Sequence, residues 1–228
     1  MAINALIRNS PRISKFVSDQ SNSNFQKYYP FLFTQEIGQD EKFAMAREWW
    51  TLEMALLAEN LDQSTFQSIV LDDEMVMRNY FLEFIRYTHR KKIPVIIFSA
   101  GIGNFIETYL KFKKIERDNI YIVSNWLNFT DKNYSSPIIH SLNKHQVDLT
   151  KQPFWDKISD KTDVIVIGDH IDDHQMAISI SDWCRQIKIG FLNNDNCSIY
   201  REKYLQEFDV VLHTNADFGL PYEILKSI

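Results

Sequence analysis

The chain has 228 residues, 45% hydrophobic and 14% aromatic, which is enough apolar surface for one packed core with a sizeable appendage and too much for a disordered chain. A net charge of -5 and a pI near 5.7 argue against a surface that coats nucleic acid, so no polymeric nucleic-acid partner is expected. Nothing approaches the roughly 18 apolar residues of a membrane span, the N-terminus has no signal-peptide apolar stretch, and Cys184 and Cys197 lack CxxC spacing, so a cytoplasmic protein with reduced thiols and no membrane partner is expected.

Residues 1–90 read as helical. In EKFAMAREWWTLEMALLAENL the apolar residues Phe43, Ala46, Trp50, Met54 and Leu57 recur every three or four positions, along one helix face. A second helix is expected over DDEMVMRNYFLEFIRYTHRKK, with Met75, Tyr80, Phe81, Phe84, Ile85 and Thr88 on one face. Its acidic start and basic end suit the helix dipole. From Lys92 the texture changes. PVIIF (94–98), IYIVS (120–124), DVIVIGD (163–169), IKIGFL (187–192) and DVVLH (209–213) are short runs rich in Ile and Val, the pattern of strands buried on both faces. Helices are expected between most of them, at about 103–114, 172–184 and 198–208. Alternating strand and helix implies a parallel sheet covered by helices. The expected fold is α/β, with a helical module over 1–90 and an α/β core over 91–228.

Ligands in such sheets collect beyond the carboxyl ends of the strands. SAGIGN (99–104) offers a hydroxyl and small residues leading into a helix, which suits either an anion cradle or a tight turn. As a dinucleotide motif it is weak: Gly101 and Gly103 are followed by Ile106, and Ser124–Asn125 closes the next strand where an acid would be wanted. Lys144 in NKH is solvated surface unless the fold brings it near Ser99. In GDHIDDH, Asp169 ends a strand and suits a hard cation such as Mg²⁺, with Asp173 four residues on. His170 and His174 share that spacing, as zinc ligands or as polar caps of a helix start, and the lack of a third ligand nearby favours caps.

A strand ending in Ser, a Lys on an intervening segment and a strand ending in Gly-Asp-x-x-x-Asp resemble motifs two, three and four of the haloacid dehalogenase-like phosphohydrolases. More closely, PVIIFSAGIGNFIE, IYIVSNWLNF, IIHSLNKH and VIVIGDHIDDHQMA look like blocks of the cytosolic pyrimidine 5′-nucleotidases, the type III branch that includes 7-methylguanosine-phosphate-specific enzymes. KYY…EKFAMAREWW resembles their cap, and the resemblance covers about residues 3–228. It implies a Rossmann-like haloacid dehalogenase core with an N-terminal helical cap that sets specificity. It also implies Mg²⁺-dependent hydrolysis of nucleoside 5′-monophosphates by a monomer or weak dimer. On that resemblance Ser99 and the backbone at Ala100–Gly101 bind phosphate, and Lys144 neutralises it as a catalytic residue. Asp169 ligates Mg²⁺ with support from Asp173. Glu48 and Trp49 stand where the family places a Glu-Trp pair facing the nucleoside, Trp49 either stacking on the base or serving as a core aromatic of the cap.

The family's first motif, an Asp-x-Asp-x-Thr that supplies the nucleophile and the general acid/base, has no counterpart. MAINALIRNSPRIS already resembles the segment before the first cap helix, and SIVLDDEMV (68–76) matches the cap's closing segment without the Thr. The expectation is a core lacking its first strand, a gap in the sheet and weakened Mg²⁺ binding. The chain then reads as a shortened hydrolase or as an inactive nucleotide-binding relative. Asp172, His170 and Leu32 stand where the family has a small, a small polar and an acidic residue, and NKHQVDL replaces an NKHDGAL-like run.

Overall fold

The computed structural model describes residues 2–34, 36–72, 76–178, 180, 184–193, 197–213 and 215–228. Its helices begin where the sequence supplies caps. Helix α1 (Ala2–Arg8) is followed by α2 (Lys15–Phe33), whose first turn closes as the Val17 amide donates to Ser14 Oγ at 3.3 Å. Helix α3 (Gln39–Asn60) buries Ala46, Trp50, Met54 and Leu57, as their spacing predicts. Helix α4 (Gln63–Leu71) is capped by Asp62, which accepts from the Thr65 amide at 2.8 Å. Hydrogen bonds from Ser64 and Thr65 hold the Asp62 carboxyl well below the usual carboxylate range. The SIVL run is thus helical, with Phe66, Ile69 and Val70 buried at i, i+3 and i+4, and does not end a strand. Asp72 closes it and is engaged by Arg12, Nη2 to Oδ1 at 3.0 Å, while Asp73 lies outside the described residues.

Helix α5 (Phe81–Lys91) is shorter than the pattern suggests. Tyr80 adopts a left-handed φ of 65°, and the Asn79 carbonyl accepts the Phe218 amide at 2.8 Å instead of an amide one turn on. The expected upstream turn is therefore replaced by a bend, and Met75 lies outside the described residues. Then come β1 (Val95–Ile102), α6 (Gly103–Phe112), β2 (Ile120–Asn125), β3 (Leu127–Asn128), β4 (Asn133–Tyr134), β5 (Asp163–Gly168), β6 (Arg185–Leu192), α7 (Cys197–Glu207), β7 (Val210–His213) and α8 (Gly219–Ser227). All five Ile- and Val-rich runs form strands. Among its described residues the helix expected over 172–184 does not form. A 3₁₀ turn, Ile171–Gln175, opened by a capping box of His170 and Asp173, takes its place, and residues 179 and 181–183 lie outside the described set.

Strands β5, β6 and β7 form a parallel sheet in that order, with Gly168 opposite Gly190 and Leu192 opposite His213. Strands β1 and β2 form a two-stranded sheet, and β3–β4 is a short antiparallel ribbon. The architecture is the expected α/β one.

Two compact units divide the chain. One comprises Met1–Met75, Ile96–Glu116 and Ile122–Asn143. In it α2 packs on α3 and α4 on α6, and Phe66 meets Phe105 edge-on with ring centroids 6.5 Å apart. Glu53 is buried there at 2% exposure, accepting from Ser21 Oγ at 2.8 Å and Asn24 Nδ2 at 3.0 Å. Burial pushes its carboxyl up. The other unit comprises Val76–Val95, Arg117–Tyr121 and Lys144–Ile228. Phe84, Ile85 and Leu225 form its core with Phe218 and Tyr222, against Val95, Ile120, Ile165 and Ile167. A second cluster joins Leu192, Tyr204 and Phe208 to Ile171 and Val211. No helix among the described residues is long and apolar enough to cross a membrane.

Candidate functional site

Strand β5 carries its apolar side chains to Gly168, where the chain must turn. What fixes the turn is Asp173. Its Oδ2 accepts from the backbone amides of Asp169 and His170, each at 3.1 Å. Its Oδ1 takes the Lys144 ammonium at 2.7 Å. Both side chains are buried, at 10% exposure for Lys144 and 4% for Asp173. In this setting a charge-assisted bond is strong and an unpaired partner costly. The sequence left Lys144 as surface unless the fold brought it near Ser99; the structure buries it against Asp173.

Asp169 differs from Asp173. It is exposed, its main-chain carbonyl accepts from Tyr204 Oη at 2.7 Å, and its Oδ2 accepts from Asn193 Nδ2 at 3.3 Å. Among the described residues no donor engages Oδ1. The described residues gather no group of three or more His, Cys, Asp or Glu side chains of the kind that cages zinc. Mg²⁺ asks for less: one or two carboxylates, with water and substrate oxygens completing its shell. The exposed Asp169 carboxylate fits that demand, and Asp173 fits a supporting part, since Lys144 and two amides already engage its oxygens. The histidines are local structure. His170 Nδ1 accepts from the Asp172 amide at 3.3 Å as a cap, and His174 Nδ1 lies 2.6 Å from the Ile171 carbonyl with Nε2 3.1 Å from Glu207.

In the other unit, Ser99, Ala100 and Gly101 lie in the last half of β1. The Gly101 amide donates to Ser99 Oγ at 3.0 Å, which leaves the serine O–H as a donor for a ligand. No described glycine has a positive φ, so this strand end does not depend on glycine's left-handed conformations. It is held from β2. Ser124 Oγ donates to the Gly101 carbonyl at 2.9 Å, and Asn125 Nδ2 donates to the Ala100 carbonyl at 3.0 Å. The same Asn125 amide is bonded to Ile139, Nδ2 to O and N to Oδ1, both at 2.8 Å. Asn125 is fully buried, at 0% exposure. The sequence marked it only as the absence of an acid.

Truncating Asn125 to Ala strands two carbonyls and one amide in the interior. The expected loss is about 2–3 kcal/mol of stability, read as a lower urea midpoint at unchanged slope. A midpoint shift below a quarter of that size counts against the clamp.

Glu48 and Trp49 lie on α3. Glu48 is exposed and accepts from Tyr28 Oη at 2.5 Å, with Lys27 Nζ 3.7 Å away. Trp49 is 4% exposed, its ring against Phe25 at 5.9 Å, Trp50 at 6.2 Å and Tyr28 at 6.4 Å between centroids. That is the environment of a core aromatic, the second of the two roles the sequence left open for it.

Over residues 2–228 the sequence matches the family described as Pyrimidine 5′-nucleotidase (UMPH-1). The chain belongs to that family. A 7-methylguanosine phosphate-specific 5′-nucleotidase of Gallus gallus is 29% identical over 98% of this chain and 78% of its own length. One of Drosophila melanogaster is 30% identical over 92% of this chain and 67% of its own. The crystal structure of cytosolic 5′-nucleotidase IIIB bound to cytidine superposes with a TM-score of 0.88, at 28% identity, over 97% of this chain and 76% of that one. The fold is accordingly the haloacid dehalogenase-like α/β fold of the family. The buried Lys144–Asp173 pair and the strand end at Ser99 fall in the blocks that suggested the family.

Proposed function

We propose that the chain serves Mg²⁺-dependent hydrolysis of nucleoside 5′-monophosphates to nucleoside and phosphate, as a cytoplasmic protein of nucleotide metabolism. The observation that carries this reading is the buried Lys144–Asp173 pair beside the exposed Asp169, at the end of β5, in a chain that matches a 5′-nucleotidase family throughout. That a solved relative binds cytidine, and is named cytosolic, supports a nucleoside ligand and a cytoplasmic place.

In this reading residues 1–90 act as the cap that selects the nucleoside and 91–228 as the core that handles phosphate. In one unit the Ser99 hydroxyl and the backbone of Ala100 and Gly101 receive phosphate oxygens; in the other, the Lys144 ammonium supplies the positive charge that a phosphate calls for. Asp173 holds Lys144 extended and fixes the turn that presents Asp169. Asp169 would hold Mg²⁺, which supplies charge neutralisation for a transferring phosphoryl group. Glu48 presents a carboxylate on α3 for the nucleoside, with Trp49 packed behind it.

A second reading follows from the sequence. The family's covalent route uses an aspartate nucleophile within an Asp-x-Asp pair, and no Asp-x-Asp occurs in these 228 residues. By themselves they would then bind a nucleoside monophosphate without turning it over. Phosphate release from a panel of nucleoside monophosphates in Mg²⁺, run beside calorimetric titration of the same ligands, separates the two. Release that vanishes in Lys144→Ala supports the hydrolase, binding without release supports the binding protein, and neither one sinks both readings.

A further inference from the structure

We propose that Arg78 and Asn193 form a relay that sets the metal-facing carboxylate of Asp169, which makes Arg78 a positioning residue for Mg²⁺. This rests on the reading of Asp169 as the Mg²⁺ ligand. Arg78 lies in the bend before α5, with its guanidinium carbon 4.2 Å from the centroid of the Phe191 ring. Through Nη1 it donates to the Ala216 carbonyl, and through Nη2 to Asn193 Oδ1 at 2.6 Å. Asn193 directly follows β6, the strand that pairs with β5.

A guanidinium has donors only. The Asn193 amide must therefore turn its oxygen toward Arg78, which aims its N–H₂ the other way. There Nδ2 meets Asp169 Oδ2 at 3.3 Å. An ionised carboxylate is acceptor only, so both neighbours select the same amide orientation. The bond occupies Oδ2 and leaves Oδ1 for a cation, while Tyr204 pins the main chain of the same residue. Partners of this kind around a metal ligand commonly change metal affinity 10–100-fold when removed. Without Arg78, nothing in the relay stops the Asn193 amide from flipping and presenting its oxygen to the Asp169 carboxylate, where it repels.

Calorimetric titration of the 228-residue chain with MgCl₂ alone tests this without recourse to turnover. Arg78→Met keeps apolar bulk over Phe191 and removes the donors; Asn193→Ala changes an exposed side chain and spares folding. Each is expected to weaken Mg²⁺ binding about tenfold. The double variant should also lose about tenfold, not a hundredfold, because the two act as one unit. Wild-type affinity in either single variant, or losses that multiply, overturns the relay. If the wild type binds Mg²⁺ and Asp169→Asn does not, the metal reading survives that failure. If the wild type takes up no Mg²⁺, the metal reading falls and the relay with it.

Discussion

Replacing Lys144 with Met will lower the unfolding free energy by about 3–5 kcal/mol, the usual cost of removing one partner of a buried ion pair. The substitution keeps the volume of the stem, so the loss is electrostatic. Asp173, at 3% exposure, would be left as a buried carboxylate with two backbone amides on one oxygen and no counter-charge on the other. For a chain of this length the melting temperature should fall by roughly 10 °C. The control is the double variant Lys144→Met, Asp173→Asn. An Asn oxygen still accepts from the amides of Asp169 and His170, and no charge remains buried, so most of the stability should return. If Lys144 offsets phosphate charge as proposed, phosphate affinity should not return, since the ammonium is gone in both variants. A double variant as unstable as the single one would show that the charge pair is not the cause. Full stability in the single variant would show that the pair is solvated in solution.

The contrast between what was legible in the sequence and what was not has a physical basis. Strands β1, β2, β5, β6 and β7 were visible because strands buried on both faces must be apolar at every position. Helix α3 was visible because a one-sided helix repeats its apolar residues every three or four positions. The turn after Gly168 is not legible because a capping box announces a helix start without saying how far the helix runs. Here His170 Nδ1 takes the Asp172 amide and Asp173 Oδ2 takes the His170 amide, and the described residues continue only as a 3₁₀ turn. Helix α5 was overextended for a similar reason, because the bend at Tyr80 depends on Phe218, 138 residues away in sequence. The Lys144–Asp173 contact spans 29 residues, and Asn125 reaches 25 residues back to Ala100. No periodicity reports such pairs. Residue identity gave Lys144 and Asp169 their candidacy, and tertiary structure gave them partners. Glu53 shows the reverse limit. It lies among the apolar positions of α3, and Ser21 and Asn24 satisfy it in the interior, which no pattern in the sequence announces.

Gly168→Ala is the second change with a large expected effect, and it strikes the same pivot from the backbone side. A Cβ at this position would lie 2.3 Å from Asp173 Cβ and 2.5 Å from its Oδ2. Both distances are far inside van der Waals contact, and the first involves an atom at the root of the side chain, which no rotamer change can move. Either the 3₁₀ turn shifts away from β5 or Asp173 gives up its bonds. Overpacking of this kind costs about 1–3 kcal/mol, and displacing Asp173 adds the loss of its two amide bonds and of its hold on Lys144. A loss of about 3 kcal/mol or more is therefore expected on urea unfolding, and, on the proposed reading of Asp169 and Lys144, Mg²⁺ and phosphate affinity should fall with it because both residues depend on the same carboxylate. The cause can be isolated by a cycle with Asp173→Gly, which removes the Cβ as well as the carboxylate. If the clash with that side chain is what matters, adding Gly168→Ala to Asp173→Gly should cost far less than adding it to the wild type. Equal costs in the two backgrounds would place the damage in the strand itself and remove Asp173 as the pivot. Wild-type stability in Gly168→Ala would mean that the turn has room to relax, and that the geometry around Asp173 is looser than its three polar contacts imply.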